Sequence, residues 1–290
     1  IPFRKWSELI QAYAYTDDLF TQKEYWQSVE NKIKLGNLPI DISNQNHKGI
    51  STIQLQLPED TSQNMILNAN KAFNTDVNDL LMVALSRTVQ SLYQMNTVAV
   101  DVELHGRQGI DLATPELNAT VGWFTCLFPI CLELNEQSDL SYQIKDLKEQ
   151  IRSVPQKGLG YSVLKYISEQ IIGDAVPSIA LNYLGDLGGG FENEYFKLLP
   201  EHEYDNVSKE RFLDHAIELE IYQQFKQLQI KAHFRGQGAA KEWMIQFADA
   251  FKQELTNVID YCTNQEITEL TPGDLTYKGL SISDLDNLFE

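Results

Sequence analysis

The chain has 290 residues, of which 43% are apolar and 22% are charged, a composition typical of a folded globular protein rather than a disordered one. Its 41 acidic and 23 basic residues give a net charge of −18. That charge repels a phosphate backbone and an anionic membrane surface, so we expect neither a nucleic acid nor a membrane as a partner. The length allows one large domain or two modest ones.

The cysteines give an expectation about the cellular compartment, and the histidines give one about metal binding. Cys126, Cys131 and Cys262 form no C-x-x-C pair, which favours a reducing cytoplasm, and the first residues lack the apolar core of a secretory signal. The sequence contains no H-E-x-x-H or H-x-H pair, so we expect no metal site. The chain starts without Met in helix-like sequence, and we therefore expect it to be a piece of a longer protein.

Four amphipathic helices and one alternating strand are predicted in the first part of the chain, where apolar residues recur at helical or strand spacing. The helices cover, in order, Trp6 to Tyr13, Tyr25 to Ile33, Ser62 to Phe73, and Val77 to Leu92 with Asp76 as its N-cap. The strand is Thr52 to Leu57. The amphipathic faces predict that these helices pack against a sheet or against one another.

Strands and helices continue to alternate in the second part of the chain. Val98, Val100 and Val102 predict a strand whose polar face ends at Glu103, followed by a loop. The later elements are an aromatic strand from Val121 to Leu134, a helix from Leu140 to Ile151, a buried strand from Ile179 to Leu184, paired antiparallel strands Ala216 to Tyr222 and Leu228 to Phe234, and a long helix from Lys241 to Cys262. This order indicates the α/β or the α+β class, with a mixed sheet and flanking helices, and we take α/β as the prediction.

Two polar segments interrupt or follow these elements. Gly188 to Gly190, with the polar residues up to Arg211, predict an extended excursion or mobile segment. After Thr263 the chain turns polar and contains Pro272-Gly273, which predicts an interdomain linker over residues 264–290 that ends in an acidic, weakly helical segment.

One pentapeptide has the composition of a reactive site. Glu103-Leu104-His105-Gly106-Arg107 places a carboxylate at a strand end beside a histidine and an arginine. On its own it fits either an acid/base group or a structural ion pair between Glu103 and Arg107. The sequence has no Walker-type loop and no G-x-S-x-G elbow, so phosphate cradling and that kind of hydrolase chemistry have no support.

Five short motifs occur along the chain in one order. They are Asp79-Leu80-Leu81-Met82-Val83-Ala84-Leu85, Glu103-Leu104-His105-Gly106-Arg107, Val121-Gly122-Trp123-Phe124-Thr125 with Phe128-Pro129, Pro155-Gln156-Lys157-Gly158-Leu159-Gly160-Tyr161, and Leu181-Asn182-Tyr183-Leu184-Gly185. The series resembles the core motifs of the epimerization domains of nonribosomal peptide synthetases, which belong to the condensation-domain superfamily. Together the five motifs are far more specific than any single one.

The resemblance implies a fold like that of chloramphenicol acetyltransferase, in which two similar lobes form a V around an active-site tunnel. The family's His-His-x-x-x-Asp-Gly signature, which supplies a catalytic histidine, is absent from this sequence. We therefore expect residues 1–263 to be the C-terminal lobe of an epimerization domain and residues 264–290 to be the linker, without the N-terminal partner lobe.

The resemblance also implies a substrate and residue roles. The substrate is expected to be an aminoacyl or peptidyl thioester on the phosphopantetheine arm of a peptidyl carrier protein, with no cofactor bound directly to this domain. Glu103 is expected to be one acid/base, opposite the absent histidine, and Arg107 to hold it ionised or orient it. Asn182 and Tyr183 are expected to hydrogen-bond the enolate or carry a proton.

The remaining motif residues are expected to shape the substrate tunnel or its loops. His105 and Gly106 belong to the loop after Glu103, Trp123 and Phe124 to the tunnel wall, and Gly158, Gly160 and Tyr161 to a turn. A downstream condensation domain or other parts of a synthetase are expected partners.

The sequence leaves two other functions open. One is a noncatalytic, condensation-like interaction module, which a histidine motif in the upstream sequence would exclude. The other is a lobe of a peptide-bond-forming condensation domain, which would condense rather than invert the amino acid on a loaded carrier.

Overall fold

A computed structural model of the chain describes residues 1–40, 50–107, 110, 117–187, 195, 212–275 and 279–289. The predicted excursion from Gly188 to Arg211 lies outside the described residues except for Tyr195. The α-helices and β-strands are, in chain order, α1 (Phe3–Tyr13), α2 (Asp17–Phe20), α3 (Lys23–Gly36), β1 (Ile50–Gln56), α4 (Glu59–Leu67), α5 (Val77–Tyr93), β2 (Thr97–Leu104), β3 (Cys126–Glu133), α6 (Leu140–Arg152), α7 (Leu159–Tyr166), β4 (Ile179–Asp186), β5 (Ile217–Gln224), β6 (Gln227–Arg235), α8 (Ala239–Thr263) and α9 (Ile282–Phe289). Short 3₁₀ turns lie at Ala69–Lys71, Pro155–Gly158 and Pro272–Asp274.

The described strands form one mixed sheet in the order β1-β6-β5-β4-β2-β3. The central pairs β2–β4 and β4–β5 are parallel, whereas β1–β6, β5–β6 and β2–β3 are antiparallel. The prediction of an α/β fold with a mixed sheet and flanking helices is confirmed, as is the antiparallel pairing of β5 with β6.

The two faces of the sheet differ in chemistry because side chains alternate along each strand. On one face, neighbouring strands align Val102, Leu181, Leu219 and Ala232, all of which are buried in the core. Helices α5 and α8 pack against each other and contact strands of the sheet. We call the other face the polar face, because Glu103 and its neighbours in register on β4 to β6 are polar.

Residues at the start of α5 and at the end of α3 determine where these two helices begin and how they pack. The Asp76 side chain accepts a hydrogen bond from Asp79 N–H, and the Asp79 side chain accepts one from Asp76 N–H, which completes a capping box at the start of α5. Helix α3 approaches β2 closely, since a Cβ added at Gly36 would lie 2.5 Å from Ala99 N. A glycine is therefore needed where this helix meets the sheet.

Three predicted elements differ from the structure. The helix expected from Ser62 to Phe73 is interrupted, because Asn68 leaves helical geometry with φ −125° after α4 ends at Leu67. The strand expected from Val121 begins only at Cys126, which pairs with Leu104, the last residue of β2. Residues before Cys126 have no β2 partner because β2 has already ended.

The third difference concerns which residues are covered. Asp101 belongs to the polar face of β2 but is only 8% exposed, and it lines a small cavity together with Tyr161 and Lys165 of α7. In β4, by contrast, Leu184 is 41% exposed, so the apolar run predicted to be fully buried is partly open to solvent. Coverage depends on the packed helices rather than on the strand sequence.

The segment after α8 packs back onto the rest of the chain. Lys148 of α6 donates a hydrogen bond of 2.5 Å to Asp274 Oδ2, and Lys145 donates to Glu269 and Asp286 at 2.8 and 2.7 Å. The amide of Gly273 donates to Glu149 of α6. Whether this segment links to another domain stays a prediction.

Candidate active site

Glu103 lies near the end of β2, on the polar face of the sheet. The strand register places it beside Asn182 of β4, and places Asn182 beside Glu220 of β5. Glu220 in turn lies beside Lys231 of β6. The parallel arrangement of β2, β4 and β5 therefore collects a carboxylate, an amide, a second carboxylate and an ammonium group in one row.

The Glu103 carboxyl group is half-buried and has a raised pKa. Burial is the main cause, and the negative charge of Glu218 adds to it, whereas a hydrogen bond from the Asn182 side chain opposes it. The charge of Glu220 raises the pKa further. Such a carboxyl group gains and loses a proton closer to neutral pH than an ordinary glutamate, which is what general acid/base chemistry requires.

Arg107 does not pair with Glu103, contrary to our expectation. Its guanidinium donates to the carbonyl oxygens of Leu117 and Thr120 at 2.7 and 2.9 Å and lies 4.3 Å above the centre of the Phe124 ring. The planar, five-donor guanidinium suits this combination of carbonyl binding and stacking. Arg107 thus clamps the two ends of the loop that joins β2 to β3.

His105 and Gly106 shape the same loop. The Nδ1 atom of His105 accepts a hydrogen bond of 2.9 Å from Arg107 N–H, which closes a tight turn. Gly106 has φ +61°, and a Cβ there would lie 1.8 Å from the carbonyl oxygen of Phe124. A side chain cannot fit at this position, so the glycine is needed to bring the loop against the start of β3.

Trp123 and Phe124 have opposite environments. Phe124 is 7% exposed and contacts the rings of Phe3 and Trp6 at centroid distances of 5.3 and 5.9 Å. Trp123, by contrast, is 79% exposed. Only Phe124 belongs to the core, and the tunnel-wall role of Trp123 stays a prediction.

The motif around Gly158 organises α7 rather than the row at Glu103. Gly158 has φ +84°, and a Cβ there would lie 1.9 Å from the ring of Phe128. A Cβ at Gly160 would lie 2.3 Å from Gln22. The Tyr161 hydroxyl donates a 2.5 Å hydrogen bond to Glu30. These residues seat α7 against α3 and β3.

Tyr183 lies on the other side of the sheet from Asn182, because adjacent strand residues point to opposite faces. Its ring packs against the hydrophobic core, and burial, followed by the charges of Asp186 and Asp76, raises its pKa. The structure therefore brings Asn182, but not Tyr183, next to Glu103. The expected proton-carrying role of Tyr183 is therefore not supported by its position and depends on the test by substitution given below.

Sequence reasoning missed three charged residues on the polar face. Asp101 precedes Glu103 by two residues and Glu218 precedes Glu220 by two, so each pair shares a face of its strand. His215 lies 2.8 Å from Asp101. The alternation of acidic residues was visible in the sequence, whereas the pairing of β2 and β5 with β4 was not.

A cavity of about 630 Å³ lies elsewhere, between α3, β3 and α6. None of the predicted site residues lines it. Its thiol, Cys131, has a pKa raised by burial to about 11, so it is not a reactive thiolate at neutral pH. We therefore place the candidate site at Glu103 and not in this cavity.

Within the described residues there is neither a cluster of metal-binding side chains nor a helix that could span a membrane. No group of three or more His, Cys, Asp or Glu side chains in this part of the chain is arranged to hold a metal ion. None of the helices within the same residues has both the length and the apolar character needed to cross a bilayer.

The chain is similar to parts of several large peptide synthetases. It is 32% identical to bacitracin synthase 2 of Bacillus licheniformis over 290 residues, which is 99% of this chain and 11% of that protein. It is 28% identical to gramicidin S synthase 1 of Brevibacillus brevis, covering 99% of this chain and 28% of that protein. The chain thus spans only a small part of these relatives.

A solved structure gives a closer match in length. The epimerization domain from the third module of tyrocidine synthetase B superimposes with a TM-score of 0.81 at 27% identity, covering 91% of this chain and 60% of that one. The family model of the condensation domain matches residues 1–280. Sequence and fold agree, and the chain belongs to the condensation-domain family.

Proposed function

We propose that this chain takes part in the epimerization, from L to D at Cα, of an aminoacyl or peptidyl thioester held on the phosphopantetheine arm of a carrier protein. The observation that carries the proposal is the half-buried Glu103 carboxyl group, hydrogen-bonded by Asn182 and with a raised pKa. The similarity to an epimerization domain supports inversion as the reaction.

The chemistry needs a base because the α-hydrogen of a thioester is only weakly acidic. Glu103 takes that proton as the Cα–H bond breaks, and the electron pair moves to the thioester carbonyl oxygen to give an enolate. A second acid then protonates Cα from the opposite side, which inverts the centre. The family resemblance assigns that acid to the histidine motif of the other lobe.

Asn182 orients the base in this mechanism. Its side-chain amide hydrogen-bonds Glu103, and the parallel pairing of β2 with β4 holds the two residues side by side. A hydrogen bond to the carboxylate favours its ionised form and so limits the effect of burial. The balance leaves Glu103 able both to accept and to return a proton.

The partners follow from the same proposal. Residues 1–263 form the C-terminal lobe, residues 264–290 the linker, and the substrate arrives on a peptidyl carrier protein. Val121 and Trp123 are 93% and 79% exposed, and we assign them to the contact with the N-terminal lobe, since contiguous exposed apolar groups mark interaction surfaces. Downstream, a condensation domain or other part of a synthetase receives the product.

Because the second acid lies on the other lobe, we expect the 290-residue chain alone to be inactive. The measurement is the D/L ratio of a carrier-bound aminoacyl thioester over time. Addition of the N-terminal lobe is expected to restore inversion. Inversion catalysed by the isolated chain would contradict the two-lobe mechanism.

The proposed function is tested by Glu103→Gln in the domain assembled from both lobes. Glutamine keeps the shape of glutamate but cannot accept the α-proton, so inversion is expected to fall by about a hundredfold or more. The readouts are the D/L ratio and the α-deuterium content of the carrier-bound product.

The matched control is Glu133→Gln, the same substitution on the exposed end of β3, where Glu133 pairs with Lys32 at the surface. This variant is expected to invert at the normal rate. Near-normal inversion by Glu103→Gln would remove Glu103 from the mechanism, and formation of a new peptide bond would identify the chain as a condensation lobe instead.

A further inference from the structure

His215 bridges two acidic residues on neighbouring parts of the polar face. Its Nε2 atom lies 2.8 Å from Asp101 Oδ2 on β2, and its Nδ1 atom lies 3.5 Å from Glu218 Oε1 on β5. Between these carboxylates the register places Ala180 of β4, whose small side chain leaves room above the sheet. The imidazole is 10% exposed, so this is a buried contact.

The bridge adjoins the candidate base. Asp101 and Glu103 lie on the same face of β2, two residues apart, and the charge of Glu218 acts directly on Glu103. A cation at His215 therefore lies 3.5 Å from Glu218, a carboxylate whose negative charge opposes ionisation of Glu103. No other histidine of the described residues has this position between β2 and β5.

Other charged groups also face this cluster. The negative charge of Glu220 raises the pKa of Glu103. The Lys231 ammonium nitrogen lies 4.0 Å from the Glu220 carboxylate. On the α7 side, Lys165 and Tyr161 line a small cavity with Asp101. On β6, His233 lies beside Glu218 in the register. Of these groups, only His215 contacts both Asp101 and Glu218.

His215 is a cation at neutral pH. Burial lowers its pKa, but hydrogen bonding and charge attraction by Asp101 and Glu218 outweigh that effect and raise the pKa to about 9. A histidine in this state carries a proton on both ring nitrogens, so Nε2 donates to Asp101 while Nδ1 faces the Glu218 carboxylate at 3.5 Å.

We propose that His215 is a positioning residue for Glu103: its imidazolium ties Asp101 of β2 to Glu218 of β5 and offsets the negative charge that faces the base. The proposal rests on the proposed acid/base role of Glu103 and names a residue that sets the ionisation of that group. Removing the cation makes the Glu103 carboxylate harder to form.

The test is the pKa of Glu103 in the 290-residue chain, followed by ¹³C NMR of glutamate side-chain carboxyl groups and assigned with Glu103→Gln. His215→Gln is expected to raise the Glu103 pKa by about one pH unit. His215→Lys restores a cation and is expected to return the pKa to its original value. An unchanged pKa in His215→Gln would overturn the proposal.

The matched control is Arg87→Gln, which removes a partly buried cation paired with Glu254 on the helical side of the chain. It is expected to lower stability without moving the Glu103 pKa. An equal shift in Arg87→Gln would show that the effect of His215→Gln reflects loosened packing, and would also overturn the proposal.

The unmodified chain offers a readout that needs no folded variant. As His215 loses its proton, the Glu103 resonance is expected to show a second, smaller inflection near the His215 pKa of about 9. Absence of that inflection would count against the charge coupling, whatever the variants do.

The assembled domain separates this inference from the proposed function. If both hold, His215→Gln moves the acid limb of the inversion rate upward by about one pH unit, whereas Glu103→Gln abolishes inversion. A normal inversion rate in Glu103→Gln would contradict the proposed function, in which Glu103 is the base. If Glu103→Gln abolishes inversion but His215→Gln leaves the acid limb of the pH–rate profile in place, only the role of His215 is contradicted.

Discussion

Two carboxylates of this chain, Asp274 and Glu103, are both withdrawn from water yet have opposite ionisation behaviour. Asp274 is 3% exposed and accepts hydrogen bonds from Lys148, Arg152 and Asn74 at 2.5, 2.5 and 2.7 Å. Burial alone would raise its pKa, but these donors and the amide of Thr271 hold the pKa well below its usual range. Asp274 is permanently ionised and therefore structural.

Glu103 has the opposite balance. Burial raises its pKa, the charges of Glu218 and Glu220 raise it further, and a hydrogen bond from the Asn182 side chain opposes them. The number of donors, and not burial itself, separates the two sites. A carboxylate with a full set of donors holds the fold together, whereas one with a single amide donor and acidic neighbours exchanges its proton.

The partner of Asp274 is Lys148, whose ammonium group is completely buried. Burial lowers the pKa of Lys148 even though Asp274 opposes that effect, so the ammonium group depends on its carboxylate. Asp274 accepts hydrogen bonds from two cations and a side-chain amide. Loss of Asp274 would leave Lys148 buried and uncompensated.

The largest expected effect is therefore on stability, in Asp274→Ala. Leaving the buried Lys148 ammonium without its partner is expected to lower the free energy of unfolding by about 3 to 5 kcal/mol. Urea unfolding at pH 7 measures it. The exposed pair of Arg4 with Glu8 provides the control, since Glu8→Gln is expected to cost less than about 1 kcal/mol; equal losses would show that Asp274 is no more than a surface ion pair.

The next effect is a loss of stability at alkaline pH. The folded pKa of His215, about 9, lies above its unfolded value, so its contribution is complete below about pH 6.5 and disappears as the pH rises through 9. The loss is expected to be at most about 3 kcal/mol. Melting curves from pH 6.5 to 9.5 measure it, and His215→Gln is the variant in which this part of the pH dependence should vanish.

Much of the fold was predictable because the signals were local. The capping box at Asp76, the alternation of Val98, Val100 and Val102, and the amphipathic pattern of α8 each depend on residues within a few positions of one another. The order of strands in the sheet depends on contacts between distant segments, and no spacing in the sequence encodes it.

The site was predicted in part for the same reason. Glu103 and Asn182 came from motifs, and the register of β2 with β4 brings them together. His215 was missed because its partner Asp101 lies 114 residues away and no motif contains it. The expected ion pair of Glu103 with Arg107 was wrong because the loop turns Arg107 toward backbone carbonyls.

A smaller effect is expected for Arg107→Lys. Lysine keeps the charge but cannot bind two carbonyls and stack on Phe124 at once, so stability is expected to fall by about 1 to 2 kcal/mol. The acid limb of inversion is expected to stay in place because Arg107 does not contact Glu103. A shift of that limb, measured in the two-lobed domain, would reinstate the ion pair.

The smallest effect is expected for Tyr183→Phe. Because Tyr183 faces the core side of the sheet while Glu103 lies on the polar face, loss of the hydroxyl is expected to change the inversion rate by less than about threefold. The D/L ratio over time measures it. Abolished inversion would restore Tyr183 as a proton carrier and place part of the site on the other face.

The most direct test of the contrast between the two carboxylates is the inversion rate per folded molecule, measured for Glu103→Gln and Asp274→Asn in the assembled two-lobed domain at a temperature where both are folded. The expected result is a crossed pattern. Glu103→Gln keeps its melting temperature and loses inversion, whereas Asp274→Asn loses several degrees of melting temperature and inverts at the normal rate. Equal inversion rates in the two variants, or a Glu103→Gln domain that unfolds as readily as Asp274→Asn, would contradict the account.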